Sequence, residues 1–328
     1  MSASPVPSLT ILLVCFNHAG YIQRALDSIA AQVYEGDIEL VIADDGSTDA
    51  TVDIISRWAQ LNPQFRCRHL PKEPNMGITR NYARGFASCS QSDYVAVLEG
   101  DDYWIHPRKL AQQVEFLEEH LECNLCSTNY FIFKESEESF TARVPVASDY
   151  ALLDVRSLIA DNVVGNFSTC VYRRQALHGL QSELFELKAY DWIINICVAR
   201  RSFIGFLNTP MSVYRLHGGG VWSANTTERK LAEQRDVLAA YDRITDGIYS
   251  AEFALLRDRL DYSIRRLGED VKRDMKERSV GAKLAYPRFK LRPRALLDLC
   301  PPILLVGVRL IVPPLIVQKL KNIWNRIQ

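Results

Sequence analysis

The chain has 328 residues, 48% of them apolar and 24% charged, and its formal net charge is zero. That length and balance suit one large globular domain or two small ones, and they exclude a disordered, highly charged chain. A nucleic-acid binder would carry a basic excess, so no nucleic acid is expected as a partner.

The eight cysteines are scattered, several inside apolar runs, which is the pattern of reduced, buried thiols in a cytoplasmic protein. Cys123-x-x-Cys126 has no second pair and no histidine at metal spacing, which argues against zinc. Met1 to Ser8 lacks a basic stretch followed by an apolar core, so no signal peptide is expected there.

Leu9-Thr10-Ile11-Leu12-Leu13-Val14-Cys15 is a continuous apolar run, the mark of a strand covered on both faces. It ends in Phe16-Asn17-His18 before a helical pattern from Tyr21 to about Gln32. A second strand, Ile38 to Ala43, closes in Asp44-Asp45-Gly46-Ser47-Thr48-Asp49, whose last three residues are N-cap candidates for a helix from Ala50 to Leu61. A third, about Phe65 to Leu70, leads through Pro74-Asn75-Met76-Gly77-Ile78-Thr79-Arg80-Asn81 into a helix ending near Cys89. The fourth, Tyr94 to Leu98, runs into Glu99-Gly100-Asp101-Asp102-Tyr103-Trp104. A helix is then expected from Pro107, a good first-turn residue, to His120, and a fifth strand from Asn124 to Phe133.

Strand, polar turn and helix in repetition predict a doubly wound α/β fold with a mostly parallel sheet and helices on both faces. Ligands of such sheets gather at the carboxyl ends of the strands. That rule brings four polar turns together: Phe16-Asn17, Asp44-Asp45, Asn75 to Asn81, and Glu99 to Asp102. An aromatic for a base, an Asp for a base or ribose, an Arg near phosphate and crowded acids for a metal describe a nucleoside-diphosphate pocket. Crowded carboxylates raise one another's pKa unless a cation holds them ionised, and oxygen ligands suit Mg²⁺ or Mn²⁺. No G-x-G-x-x-G follows the first strand and no P-loop is present, so neither a dinucleotide nor a P-loop phosphate site is expected.

These four stretches, in this order, resemble the signatures of glycosyltransferase family 2, with the GT-A fold, over residues 8 to about 220. The resemblance implies transfer of a sugar from a nucleotide-diphosphate donor, a UDP-sugar, with inversion at the anomeric carbon. It places Phe16 against the base and Asp45 at the base or ribose, with Asn17, Asp44, Asn75, Gly77, Arg80, Glu99 and Gly100 in the donor pocket. Asp102 stands as the direct metal ligand and Asp101 beside it, nearer the ribose or sugar. Glu99 is a departure, since many members carry Asp there.

Further on, Val155 to Asp161 reads as a short helix, Asn166 to Arg173 as a strand, and Trp192 to about Arg200 as a helix opened by Asp191. An acid there is by itself only a helix cap. Its match to the family's D-W element implies the general base that deprotonates the acceptor. Val213-Tyr214-Arg215-Leu216-His217 matches a Y-R-x-H element, which implies diphosphate contact for Arg215 and a place in the metal shell for His217. Gly218-Gly219-Gly220 and Trp222 suggest a loop that orders over bound donor.

Thr226 to about Lys276 is mostly helical by pattern. Lys272 to Arg294 then carries nine Lys or Arg against two Asp or Glu. The apolar stretch Ile303 to Val312 would reach only about 15 Å as a helix, half of the roughly 30 Å a bilayer needs. Such a tail suits lying on an anionic leaflet or packing on the protein's own core. The expected organisation is a GT-A domain over 1–222, with a donor half (8–133) and an acceptor half (134–222), and a helical region over 223–328. A glycan or lipid-linked glycan acceptor, met peripherally at the inner face of the membrane, follows from the tail and the resemblance. The rivals are a non-catalytic sugar-nucleotide binder and a sugar nucleotidyltransferase. The latter usually has a Gly-rich, basic signature where this chain has Phe16-Asn17-His18, and the absence of Q-x-x-R-W argues against a processive synthase.

Overall fold

The computed structural model describes residues 6–143, 148–187, 191–220 and 226–278. They form two compact units, one running to Leu216 and one beginning at His217.

The first unit holds one sheet: β1 (Leu9–Cys15), β2 (Ile38–Asp44), β3 (Arg66–His69), β4 (Tyr94–Glu99), β5 (Tyr103–Trp104), β6 (Cys123–Lys134), β7 (Ser139–Ala142), β8 (Tyr150–Leu153), β9 (Val171–Arg173) and β10 (Phe203–Leu216). The order is β3-β2-β1-β4-β9-β6-β10-β5, with β7 added to β6 and β8 to β10. β1, β2, β3 and β4 are mutually parallel, as are β6 and β10, while β9 runs against both β4 and β6. The helices are α1 (Ile22–Ala30), α2 (Thr51–Leu61), α3 (Ile78–Ser88), α4 (Lys109–Glu119), α5 (Val155–Ala160), α6 (Arg174–His178) and α7 (Asp191–Val198).

All seven residues of β1 are buried, as a strand sandwiched between helices requires. On α1, Ile22, Ala25, Leu26 and Ile29 recur at helical spacing and are fully buried in the core formed with Ile11, Leu13, Leu40 and Ile42. α3 lies so close to β1 that a Cβ on Gly85 would sit 2.9 Å from the Leu12 side chain.

Several local expectations are corrected. Of the strand expected over Asn166 to Arg173, only Val171–Arg173 is extended, and Phe167–Thr169 is a 3₁₀ turn. Thr169 Oγ1 donates to the Asn166 carbonyl at 2.8 Å, a local bond that competes with the sheet ladder. α4 starts at Lys109 rather than Pro107. Ser47 and Thr48 do not cap α2; they bond back to Asp44 and Asn17, and only Asp49 reaches the Thr51 amide, at 3.0 Å. The charged stretch after β6 is the turn of a hairpin, in which Phe133 pairs with Phe140 across β6 and β7.

The second unit contains α8 (Thr227–Ile244) and α9 (Ser250–Arg278). Thr226 caps α8 by accepting from the Arg229 amide, and the link turns at Asp246 and Gly247, with φ of 55° and 66°. Among the described residues no helix is long and apolar enough to cross a membrane. Trp222 and the stretch from 279 onward, with most of the basic and apolar tail, lie outside the described residues.

Candidate functional site

Parallel register sets the site. Cys15 at the end of β1 stands beside Asp44 of β2, and Val14 stands beside Glu99 of β4. The turns that follow are tied to β1, since the Asp45 amide donates to the Cys15 carbonyl at 2.9 Å and the Gly100 amide to that of Val14 at 2.8 Å. Asp45, 3% exposed, then holds the turn after β3: its two oxygens accept from the Met76 amide at 2.9 Å and the Gly77 amide at 3.0 Å. Bonds to a charged acceptor contribute about 1.5–3 kcal/mol each, so Asp45 acts here as the latch of the 75–77 turn.

Asn17 and Asp44 also bind their neighbours. Asn17 has φ 54°, and its Oδ1 accepts from the Thr48 amide at 2.8 Å. Asp44 accepts from the Ser47 amide and hydroxyl. Phe16 is left 40% exposed at this edge, available to a flat ligand. Asn75 and Gly77 are exposed in their turn, where Gly77 needs its φ of 86°. Arg80 pairs with Glu186 at 2.7 Å, both side chains exposed, a bond worth about 0–1 kcal/mol and readily exchanged.

The acids before Tyr103 are held from behind. Asp102 is 1% exposed; its Oδ2 accepts from Ser168 Oγ at 2.7 Å and its Oδ1 from the Arg215 amide at 2.9 Å. Burial, then the charge of Asp101, pushes the Asp102 carboxyl well above the usual range. Glu99 accepts from the Tyr82 hydroxyl at 2.9 Å and is pushed well up by burial, then by the charges of Asp102 and Asp101. Asp101 is partly exposed, with its carboxylate 3.7 Å from His18 Nε2. Gly100 has no room for a side chain, because a Cβ would meet Ile22 Cδ1 at 2.7 Å and His18 Nδ1 at 2.8 Å. We expect Gly100→Ala to lose about 1–3 kcal/mol in urea unfolding, the usual cost of overpacking; an unchanged midpoint would contradict this.

Arg215 lies on the same side. Its Nε donates to the Asp101 carbonyl at 2.9 Å, and its guanidinium stands 5.0 Å from the Tyr21 ring, 5.5 Å from Tyr103 and 5.6 Å from Phe133. Arg24 covers Tyr103 at 3.8 Å.

Asp191 opens α7. Its Oδ1 accepts from the Trp192 amide at 2.8 Å, whereas Oδ2 is buried with no hydrogen-bond partner among the described residues. Burial raises its pKa to about 7, with the Trp192 amide, Asn162 and Arg143 pulling the other way. Burial, and then the charges of Asp102, Glu99, Asp101 and Asp191, push the Tyr214 hydroxyl up, so the acids at and after the end of β4 and the one opening α7 act on one tyrosine.

Hard oxygen donors and uncompensated buried charge fit a divalent cation. No group of three or more His, Cys, Asp or Glu set to hold a metal is found among the described residues. The adjacent carboxylates of Asp101 and Asp102 match what a Mg²⁺ ion takes from a protein when ligand phosphates complete its shell. His217 begins the second unit, and the histidine beside Asp101 is His18.

Sequence reasoning missed Ser168, Tyr82 and Arg24. A serine or tyrosine bonding an acid some 17 or 66 positions away leaves no periodic signal.

The profile of Glycosyl transferase family 2 matches residues 10–180. An uncharacterized protein of Mycobacterium tuberculosis is 35% identical over 229 residues, which cover 69% of this chain and 64% of that protein, so the chain spans just under two thirds of this relative. The Escherichia coli protein named UDP-Glc:alpha-D-GlcNAc-diphosphoundecaprenol beta-1,3-glucosyltransferase is 26% identical, over 79% of this chain and 98% of its own length. Among solved structures, the Pyrobaculum calidifontis mannosyltransferase with GDP-Man and Mn²⁺ superposes with a TM-score of 0.61 at 18% identity, over 99% of this chain and 90% of that one. Staphylococcus aureus TarS with UDP-GlcNAc gives a TM-score of 0.57 at 17% identity, over 75% of this chain and 73% of the other.

Proposed function

The chain belongs to glycosyl transferase family 2 and has the GT-A fold, and from that premise we propose that it is an inverting, non-processive glycosyltransferase. It moves a sugar from a nucleotide-diphosphate donor, a UDP-sugar, to a hydroxyl of a glycan or lipid-linked glycan. The observation that carries this reading is Asp191: a buried carboxylate with one oxygen unpaired among the described residues, within charge reach of the same tyrosine as Glu99, Asp101 and Asp102.

Asp191 Oδ2 takes the proton of the acceptor hydroxyl as that oxygen attacks the anomeric carbon. The bond to the nucleoside diphosphate breaks on the opposite face, in one displacement with no covalent enzyme intermediate. Arg215, fixed by the Asp101 carbonyl and flanked by three aromatic rings, steadies the departing diphosphate. Phe16 lies against the base. Asp102 and Asp101 would hold Mg²⁺ or Mn²⁺, which would supply Lewis-acid neutralisation of the leaving group's charge. The Mn²⁺ in the Pyrobaculum relative supports that assignment.

Catalysis is assigned to residues 1–222 and membrane contact to the tail of 223–328, with the enzyme cytoplasmic and peripheral on the inner face of the membrane. The lipid-linked substrate in the Escherichia coli relative's name supports that placement.

The base works only when ionised. With Asp191 near 7, kcat/KM at saturating Mn²⁺ should fall about tenfold per pH unit below that point. An acid limb near the ordinary carboxylate value would remove Asp191 from the role. The reading as a whole is tested by melting the protein with a panel of nucleotide sugars, with and without Mn²⁺. A UDP-sugar is expected to raise the melting temperature only with the metal; no response to any nucleotide sugar in either condition would overturn it.

A further inference from the structure

The 3₁₀ turn before β9 is pinned through nearly all its polar groups. Ser168 Oγ donates to Asp102, and the Ser168 carbonyl accepts from Trp104 Nε1 at 2.8 Å. Thr169 Oγ1 meets Ser127 Oγ at 2.8 Å, and the Thr169 carbonyl accepts from Gln113 Nε2 at 2.9 Å. Even the Asn166 carbonyl is taken, by Thr169 Oγ1. The exception is the Asn166 side chain: it is 5% exposed, and both its Oδ1 and its Nδ2 are buried with no hydrogen-bond partner among the described residues.

A buried amide with both ends unpaired is destabilising, and native folds rarely keep one without an occupant for it. Its position says what that occupant is. Two residues after Asn166, Ser168 holds the acid assigned to the metal. One residue before it, Gly165, at φ 89°, leaves no space: a Cβ there would lie 2.2 Å from the Tyr130 hydroxyl and 2.7 Å from Arg143 Nη1. In that Tyr130–Arg143 pair, bonded at 3.1 Å, the Tyr130 hydroxyl is pushed up by burial, with Arg143 lowering it and the charge of Asp191 adding to the rise. Asn166 thus sits in the chain between Ser168, which holds Asp102, and Gly165, which packs on the Tyr130–Arg143 pair; under the transferase reading the sugar passes between Asp102 and Asp191. An amide offers one acceptor and two donors, a match for adjacent ring hydroxyls.

We propose, resting on the transferase reading above, that Asn166 is a specificity residue whose side-chain amide hydrogen-bonds hydroxyls of the transferred sugar ring. Its loss would leave the nucleotide and diphosphate contacts intact. A site built to bond a hydroxyl discriminates strongly among sugars that present it or lack it.

The test compares wild type, Asn166→Leu and Asn166→Ala by calorimetric titration with Mn²⁺ present. The probes are UDP-glucose, UDP-N-acetylglucosamine and GDP-mannose, each beside its free nucleoside diphosphate. In the wild type the preferred nucleotide sugar should bind more tightly than its free diphosphate. In both variants that advantage should fall roughly tenfold, with affinity for the free diphosphate unchanged within about twofold. Asn166→Leu should also melt no lower than wild type, since it removes two unpaired polar atoms. An advantage preserved in the variants, or one absent in the wild type, would overturn the role of Asn166 while leaving the transferase reading in place. A wild type that binds no nucleotide at all would overturn both.

Discussion

Asp191→Asn should lose transfer by about 10²–10⁴-fold while keeping its affinity for the nucleotide sugar. The substitution preserves shape and the acceptor for the Trp192 amide, and removes only the ability to take a proton. Stability should move the other way. The folded-state pKa, about 7, lies above the ordinary 3.8, so the folded protein holds this proton over a range where the unfolded chain has released it. The cost of the buried charge is absent below about pH 4, grows as pH rises, and is complete above about pH 7. The asparagine variant carries no such cost. It should melt above wild type at pH 8, with the gap closing toward pH 4, so that an inactive protein is the more stable one. Loss of donor affinity together with a lower melting temperature would instead make Asp191 a structural residue.

The second large effect is expected at Asp102. In Asp102→Asn, the side-chain oxygen can still accept from the Arg215 amide, and Ser168 Oγ can turn to accept from the new amide. The fold therefore persists while the charge beside Asp101 and Glu99 disappears. Transfer should fall by about 10²–10³-fold or more, the range seen when a group that stabilises developing charge is removed. Melting shifts produced by donor with Mn²⁺ should vanish. In wild type, a chelator should produce the same two losses, and added Mn²⁺ or Mg²⁺ should reverse them. The variant should melt no lower than wild type without ligand, because a carboxylate raised by burial and like charge is removed. Undiminished transfer in chelator, matched by an active variant, would take the metal out of the account.

Much of this site was legible in the sequence because its causes are local. β1, β2 and β4 are mainly apolar runs, broken in β2 by Glu39, and a parallel sheet sends their polar ends to one edge; Cys15, Asp44 and Glu99 duly align there. Asp191 was legible only through resemblance, since an acid opening a helix is otherwise a cap.

What stayed hidden depends on partners far away in the chain. β5 is two residues long and exists through its pairing with Ser212 and Val213 of β10. The 14 residues of β10 contain Asn208, Thr209 and Pro210, and the register slips around Pro210, which breaks the alternation a long strand would show. Asp45 reads as a free carboxylate in its motif, and only the folded chain reveals that two amides of the next turn occupy it. The same holds for Asn166, which belongs to a strand by pattern and to a tight turn in fact, and which is conspicuous only once its side chain is seen to lack partners among the described residues.

The central claim is a single displacement assisted by one base, and the product's anomeric configuration reads it out. With the nucleotide sugar that stabilises the protein best, and an acceptor that takes its sugar, proton NMR of the fresh product should reveal the configuration opposite to that of the donor. A product of the donor's own configuration would require two displacements or a different mechanism, and would contradict the role given to Asp191.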